Sequence, residues 1–279
     1  MSTALFGPAG NSISFTGKSN LEIPPYLADM GLNAFEYQCG RGVKISEKSA
    51  NAFGQVAKSF GITLSLHAPY YISLSSEDEE TRLKSIDYIL LSAKAVKAMG
   101  GSRIVVHTGS VGKRERPEAL ALAKDTLWLA LKALDRAGLN TVTICPETMG
   151  KTGQLGTLDE VMSICYTDER LVPCIDFGHL YARQFGEIDY GEILDKMKTI
   201  LGDYRYKNFH AHFSKIAFTT PGGEKSHTTF DDPKWGPDPE PLIKLLAERG
   251  LTPTIICESN GTQAEDAKYM KTLYEDKSI

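Results

Sequence analysis

The stretch from Arg103 to Glu147 shows how this chain is built. It begins with a short apolar run, RIVVH (Arg103–His107), and ends with a second one, TVTICPE (Thr141–Glu147). Between them, ERPEALALAKDTLWLALKALDRA (Glu115–Ala137) repeats apolar residues at three- and four-residue spacing and stops at Gly138. That pattern is typical of an amphipathic helix with a glycine after its last turn. The stretch is therefore predicted to form a strand, a helix and a second strand.

The same alternation runs along the whole chain. Further short apolar runs, bounded by Gly, Pro or Asn, read as strands: Leu5–Pro8, Ala34–Gln38, Thr63–His67, Val172–Asp176, Asn208–His212 and Thr254–Glu258. Segments of helical period separate them: Leu21–Met30, Ser46–Phe60, Thr81–Met99, Leu158–Thr167, Tyr190–Leu201, Pro241–Arg249 and Gln263–Glu275. Alternating strands and helices imply a parallel sheet. We therefore predict an α/β protein in which residues 1–279 form a single (β/α)8 TIM barrel domain.

Length and composition narrow the possible fold, the possible partners and the possible cell compartment of the protein. A length of 279 residues fits one barrel, and a formal net charge of −4 provides no overall basic surface for nucleic acid. The five cysteines form no C-x-x-C pair, and the N-terminus lacks the basic start and long apolar stretch of a signal peptide. We expect a reduced, cytoplasmic protein without a membrane partner, and no protein partner is evident.

The ends of the predicted strands carry residues typical of a metal centre. In an α/β barrel the C-terminal ends of all strands converge on one mouth. All six histidines and four of the acidic residues lie there or in the long segment that follows the seventh strand: His67, His107, Glu147, Asp176, His179, His210, His212, Glu224, His227 and Glu258. Imidazole and carboxylate are the ligands that zinc, manganese and iron use. This set exceeds the needs of one ion and predicts two or three, which suits phosphoryl chemistry.

Five motifs resemble those of the endonuclease IV family, whose members are DNA repair enzymes that act at abasic sites and belong to the xylose-isomerase-like barrel superfamily. They are Leu66-His67-Ala68-Pro69-Tyr70, Val106-His107-Thr108-Gly109-Ser110, Pro146-Glu147-Thr148, Ile175-Asp176-Phe177-Gly178-His179 and Cys257-Glu258-Ser259. The resemblance extends from about Ala4 to Tyr274. It implies a zinc-dependent phosphodiesterase that cleaves double-stranded DNA 5′ to an abasic site and leaves a 3′-hydroxyl.

The resemblance also implies roles for individual residues. His67 and His107 would bind a first zinc, and Glu147 would bridge it to a second. The remaining ligands of the second zinc would be Asp176, His210 and Glu258, and those of a third would be His179 and His227. Tyr70 would help to hold the opened DNA at the lesion, although a ring that packs at the barrel rim explains this residue equally well.

Two positions depart from the family pattern. Lys225 stands where the family has an aspartate two residues before His227, and a protonated lysine cannot bind zinc. Glu224, after a shift of the loop, or His212 could supply the missing ligand. The Asn-Asp pair that the family carries after its seventh-strand histidine is here His212-Phe213. Both departures lie near the residues that would hold the third zinc and near the surface that would face DNA.

A sugar isomerase or epimerase of the same superfamily is the main alternative. Such enzymes hold one manganese or magnesium ion through a Glu, Asp, His, Glu set, which would be Glu147, Asp176, His210 and Glu258. The two glutamates, Glu147 and Glu258, would then act as acid and base on the sugar. His67, His107 and His227 favour the nuclease, because a one-ion isomerase needs no ligands there. No sequence feature supports a third possibility, a non-catalytic binding or metal-sensing barrel.

Overall fold

The computed structural model describes residues 3–277, which alternate between strands and helices. The strands are β1 (Leu5–Pro8), β2 (Ala34–Gln38), β3 (Thr63–His67), β4 (Arg103–Val106), β5 (Thr143–Pro146), β6 (Cys174–Asp176), β7 (His210–Phe213), β8 (Lys215–Thr219), β9 (Gly223–Thr228) and β10 (Thr254–Cys257). The helices are α1 (Ile23–Asp29), α2 (Glu47–Ser59), α3 (Glu79–Ala98), α4 (Arg116–Arg136), α5 (Leu158–Cys165), α6 (Phe177–Arg183), α7 (Tyr190–Lys207), α8 (Pro239–Glu248) and α9 (Gln263–Lys277).

Eight of these strands form a closed parallel barrel. Strands β2, β3, β4 and β5 pair in that order, and so do β6, β7, β10 and β1. Two hydrogen bonds join the groups: Gly10 N donates to Glu36 O (3.0 Å) between β1 and β2, and Thr148 N donates to Cys174 O (3.0 Å) between β5 and β6. The predicted (β/α)8 barrel and its eight strands are confirmed.

Local sequence explains where several helices begin. The side chains of Ser46, Asp78 and Thr157 accept hydrogen bonds from backbone N–H groups in the first turns of α2, α3 and α5, which would otherwise lack partners.

Helix α7 extends beyond the predicted end at Leu201 because the chain resumes helical geometry after Gly202, whose φ is 76°. Among the helices of residues 3–277, none combines the length and apolarity needed to cross a membrane.

One arginine reaches across the base of the barrel, opposite the mouth. Arg103, at the start of β4, donates from Nη2 to Asn208 O (2.6 Å) and from Nη1 to Phe209 O and Thr254 Oγ1 (both 3.3 Å). Its guanidinium therefore satisfies acceptors on the far side of the barrel.

One helix and one two-stranded hairpin are not predicted by the sequence patterns. Helix α6 follows β6 directly, with Asp176 as its N-cap, and is too short to show a helical period. Strands β8 and β9 form an antiparallel hairpin inside the segment Ser214–Pro239, for which the sequence indicated only an extended, non-helical loop. Strand β7 also begins and ends later than the predicted Asn208–His212. All three differences affect the site.

Candidate metal centre

Histidines and carboxylates line a cavity of about 360 Å³ at the C-terminal mouth of the barrel. Each side chain is brought there by the end of a strand or by the element that follows it. The lining includes His67, Tyr70, His107, Glu147, His179, Glu224, His227 and Glu258. The mouth therefore brings together most of the residues that the sequence singled out, including Glu224.

Glu147 lies at the centre of this arrangement. It follows β5 directly and is buried. Its Oε2 atom lies 3.3 Å from His67 Nε2 and 3.1 Å from His107 Nε2, while its Oε1 atom lies 2.9 Å from His212 Nδ1. One carboxylate thus faces imidazoles on both sides, as a ligand shared between two ions would.

A second set of ligand-type atoms comes from Glu147, Asp176, His212 and Glu258, all within 4.8 Å of one another. The family resemblance implies His210 as the histidine of this set and leaves His212 as an extra residue, and the structure corrects this assignment. In the structure His212 pairs in register with Asp176, whereas His210 pairs with Cys174, one layer deeper in the barrel. Both histidines of β7 face inward because side chains alternate along a strand, so the pattern alone could not distinguish their depths.

Glu36 was missed by the sequence analysis. It lies on β2, is fully buried, and accepts hydrogen bonds from His210 Nε2 and Ser65 Oγ (both 2.9 Å). A carboxylate between Phe35 and Tyr37 in a predicted strand is the signal that could have revealed it, because such a group requires polar partners when it is buried.

A third set comprises His179, Glu224 and His227, whose ligand-type atoms also lie within 4.8 Å of one another. His179 comes from α6, and the other two residues come from β9 of the hairpin. His179 Nε2 lies 3.4 Å from Glu224 Oε2, and His227 Nδ1 pairs with Ser214 Oγ at 2.8 Å.

A β-bulge explains how Glu224 joins this set. Ala217 pairs with Ser226 and Phe218 with Glu224, so Lys225 is the extra residue of the bulge and is exposed. Strict alternation would place Glu224 and His227 on opposite faces of the strand. The additional residue changes the phase and brings both to the same side. Lys225, which replaces the family aspartate, therefore points away from the site.

The residues fit divalent cations. Asp176 Oδ1 accepts a hydrogen bond from His179 N (2.7 Å), whereas its Oδ2 atom is buried, lies 3.2 Å from His179 Nδ1 and makes no hydrogen bond. Burial raises the pKa of Asp176 more than the nearby His179 lowers it. A buried oxygen of this kind normally finds a partner, and the surrounding imidazole and carboxylate donors suit zinc, manganese or iron.

The charges of the site are strongly coupled. Burial alone would raise the pKa of Glu147, but the charge of His212 and hydrogen bonds from His107, His212 and His67 hold it well below its usual value. Burial is the largest single influence and opposes protonation of His67 and His179, yet the surrounding carboxylates together outweigh it and raise both pKa values to about 9. Glu147 contributes most at His67, and Asp176 contributes most at His179. The carboxylates thus require nearby positive charge, which protons or metal ions can provide.

Tyr70 lies at the rim of the cavity and is 61% exposed. Its ring contacts that of Tyr71, with centroids 5.6 Å apart in an edge-on arrangement. The hydroxyl-bearing ring is therefore accessible to a ligand that enters the mouth, while its contact with DNA stays a prediction.

A parallel barrel with imidazoles and carboxylates gathered at its C-terminal mouth defines the class of this protein as an α/β barrel with a candidate metal centre. A model of the xylose isomerase-like TIM barrel family matches residues 25–273. The chain belongs to that family.

The sequence relatives of this chain include an uncharacterized protein and proteins named as probable endonucleases. An uncharacterized protein of Methanocaldococcus jannaschii is 32% identical over 97% of both chains. A probable endonuclease 4 of Streptomyces avermitilis is 29% identical over 75% of this chain and 69% of its own length.

Solved structures share the fold. Endonuclease IV of Thermus thermophilus superposes with a TM-score of 0.69 and 20% identity over 98% of both chains. The 3-keto-D-glucoside 4-epimerase of E. coli gives a TM-score of 0.71 and 16% identity, over 98% of this chain and all of the other. At such low identity these likenesses establish the barrel and do not separate the two activities.

Proposed function

We propose that this protein is a zinc-dependent phosphodiesterase of the endonuclease IV type, which cleaves double-stranded DNA 5′ to an abasic site. The observation that carries the proposal is the presence of ligand sets on both sides of the shared core. His67 and His107 flank Glu147 on one side, and His179, Glu224 and His227 form a further set. An enzyme that uses one ion has no need for either.

The proposed ligands would be divided among three zinc ions. His67, His107 and Glu147 would hold a first zinc, and Glu147 would be shared with a second. The other ligands of the second zinc would be Asp176, His212 and Glu258, and those of a third would be His179, Glu224 and His227. Bound zinc would supply Lewis-acid stabilisation of the charge that develops on the phosphate during cleavage.

Glu147 and Glu258 border the cavity and are the proposed catalytic carboxylates. Glu147 is buried and lies between imidazoles. The side chain of Glu258 is 16% exposed and can reach a substrate in the mouth. Tyr70 at the rim would contact the opened DNA. A cytoplasmic location, as predicted from the sequence, is part of the same proposal, and the five buried cysteines without disulfides suit a reducing compartment.

A sugar epimerase that uses one manganese or magnesium ion is the second candidate. The observation in its favour is that Glu147, Asp176, His212 and Glu258 form a compact four-residue set, which is the Glu, Asp, His, Glu combination expected of that chemistry. In this reaction Glu147 and Glu258 would move protons to and from the sugar carbons.

Elemental analysis of purified protein and a nicking assay test the choice. The nuclease should carry two or three zinc ions per chain and should nick a duplex that contains one abasic site, but not the matched intact duplex. His107→Ala should abolish nicking, because it removes a ligand that only the nuclease needs. One manganese per chain, together with an intact abasic duplex, would contradict the proposal and favour the epimerase.

The contact of Tyr70 with DNA has its own test. Tyr70→Ala should weaken binding of an abasic duplex, whereas Tyr204→Ala is a matched control because Tyr204 is also exposed (75%) but lies on α7. The loss of one aromatic contact with DNA corresponds to about 1–3 kcal/mol. Equal affinities of the two variants would show that Tyr70 does not contact DNA.

A further inference from the structure

A second polar layer lies beneath the candidate metal centre. It comprises Glu36 of β2, Ser65 of β3 and His210 of β7, all of them buried inside the barrel. None of these residues lines the cavity or takes part in the proposed cleavage. Buried polar groups are costly unless they are paired, so this layer requires a reason.

The carboxylate of Glu36 lies between two imidazoles. Its Oε2 atom accepts hydrogen bonds from His210 Nε2 and Ser65 Oγ (both 2.9 Å), and its Oε1 atom accepts one from Gln38 Nε2 (3.3 Å). The same Oε1 atom lies 2.9 Å from Nε2 of His212. His210, Ser65 and Gln38 therefore fix the carboxylate while one oxygen remains directed toward His212.

The two ring nitrogens of His212 face different surroundings. Nδ1 lies 2.9 Å from Glu147 Oε1 and 3.6 Å from Glu258 Oε1, on the side of the cavity. Nε2 faces Glu36 Oε1 at 2.9 Å but makes no hydrogen bond with it. A neutral imidazole that binds a cation through one nitrogen carries its proton on the other.

We propose that Glu36 is a positioning residue that accepts the Nε2 proton of His212 and so presents Nδ1, unprotonated and correctly oriented, to a cation held by Glu147, Asp176 and Glu258. His210 and Ser65 hold Glu36 in place. Carboxylates that orient metal-binding histidines in this way commonly strengthen metal binding about 10- to 100-fold. The inference rests on the proposed metal centre and adds a residue to it.

Another arrangement of the same layer must be distinguished. Cys174, His210 and His212 also bring ligand-type atoms within 4.8 Å of one another. An ion bound there would use Cys174 as a thiolate and would take His212 away from the cavity. Glu36 already pairs with His210 and lies 2.9 Å from His212 Nε2, so the positioning role explains more of the contacts.

Zinc affinity, measured by competition with a chromophoric chelator, tests the proposal on the full chain. Glu36→Gln keeps the shape of the side chain and removes its charge, and we expect the cation shared by Glu147, Asp176, His212 and Glu258 to bind about 10- to 100-fold more weakly. Glu36→Asp, which restores the charge, should recover part of the affinity. Cys145→Ser is the control, because Cys145 is likewise fully buried on a barrel strand, and its zinc affinity should be that of the wild type.

The outcomes separate the possible failures. Wild-type protein that binds no zinc would refute the proposed function itself. Wild-type binding with unchanged affinity in Glu36→Gln would overturn only the role of Glu36. Loss of an ion in Cys174→Ser, or a thiolate absorption band in the cobalt-substituted protein, would overturn it in favour of the deeper site. If Glu36→Gln does not fold, Ser65→Ala should still weaken zinc binding, because it removes one contact that holds Glu36.

Discussion

The mouth of the barrel contains two groups of proposed ligands that are built in different ways. The strand-borne group consists of His67, His107, Glu147, Asp176, His212 and Glu258, which lie at or next to the ends of barrel strands. The hairpin-borne group consists of His179, Glu224 and His227, which lie on α6 and β9. The register of the barrel fixes the first group, whereas the second depends on how a loop docks against the barrel. Glu224 and His227 of the second group can therefore shift while the strand-borne group stays in place.

The hairpin docks on the segment 149–156, which follows β5. Glu224 N donates to Gly150 O and Thr152 N to Gly222 O (both 3.2 Å). A Cβ atom on Gly150 would lie 2.6 Å from Cβ of Glu224, and one on Gly223 would collide with Gly150 O. The two backbones approach so closely that only glycine fits at these positions.

Two arginines, Arg116 and Arg183, donate hydrogen bonds to backbone carbonyl groups of the segment 149–156. Arg183 donates to the carbonyl oxygens of Met149 (3.0 Å) and Lys151 (2.7 Å). Arg116 donates to Thr152 O (3.1 Å) and pairs with Glu160 (Nε to Oε1, 2.7 Å). The position of Glu224 thus depends on residues that never reach the cavity.

Among the changes that compare the two groups, the largest effect should come from Glu147→Gln, which removes the carboxylate at the centre of the strand-borne group. We expect at least one zinc to be lost and nicking of an abasic duplex to fall by more than about 100-fold, the scale seen when one group that stabilises the transition state is removed. Metal counting and single-turnover nicking measure both. Glu248→Gln, a change of the same type on the exposed surface of α8, should leave both unchanged. A fully active Glu147→Gln would exclude a shared metal ligand.

A smaller effect should follow from Glu224→Gln, which alters only the hairpin-borne group. We expect the loss of one zinc and reduced nicking, while the ions of the strand-borne group remain. Lys225→Ala changes the exposed neighbour at the bulge and should leave the zinc count unchanged. If Lys225→Ala rather than Glu224→Gln lowers the zinc count, the bulge does not orient the ligands as described.

Gly150→Ala should weaken the same group from a distance. The added methyl group collides with Glu224 and costs about 1–3 kcal/mol where the backbone cannot move. The third zinc should bind more weakly in a chelator competition, and the others should bind as before. Gly153→Ala is the matched control because a Cβ atom there meets nothing within 4 Å. Equal zinc affinities of the two variants would show that the docking of the hairpin tolerates the change.

The difference between the two groups also explains what the sequence could predict. Strand ends are visible as apolar runs that stop at a histidine or carboxylate, so His67, His107, Glu147 and Asp176 could be assigned to the mouth directly. The depth of His210 relative to His212 depends on strand register, and the partners of Glu36 lie on other strands, so neither follows from local pattern. The bulge at Lys225 has no sequence signature. That residues 1–279 form one domain stays a prediction.

The smallest expected effect is a pH-dependent loss of stability when Glu160, the ion-pair partner of Arg116, is replaced by glutamine. Burial would raise the pKa of Glu160, but hydrogen bonds from Arg116 and from the backbone of Gly156 and Thr157 outweigh it and lower the pKa. A carboxylate whose pKa is lower in the folded state stabilises the fold above its unfolded pKa, near 4.3, and loses that contribution as the pH falls through the folded value. With chelator present, the free energy of unfolding of the wild type should therefore exceed that of Glu160→Gln at pH 7, and the difference should shrink as the pH falls below about 4.3. A difference that does not change with pH would mean that the charge of Glu160 contributes nothing to the stability of the fold.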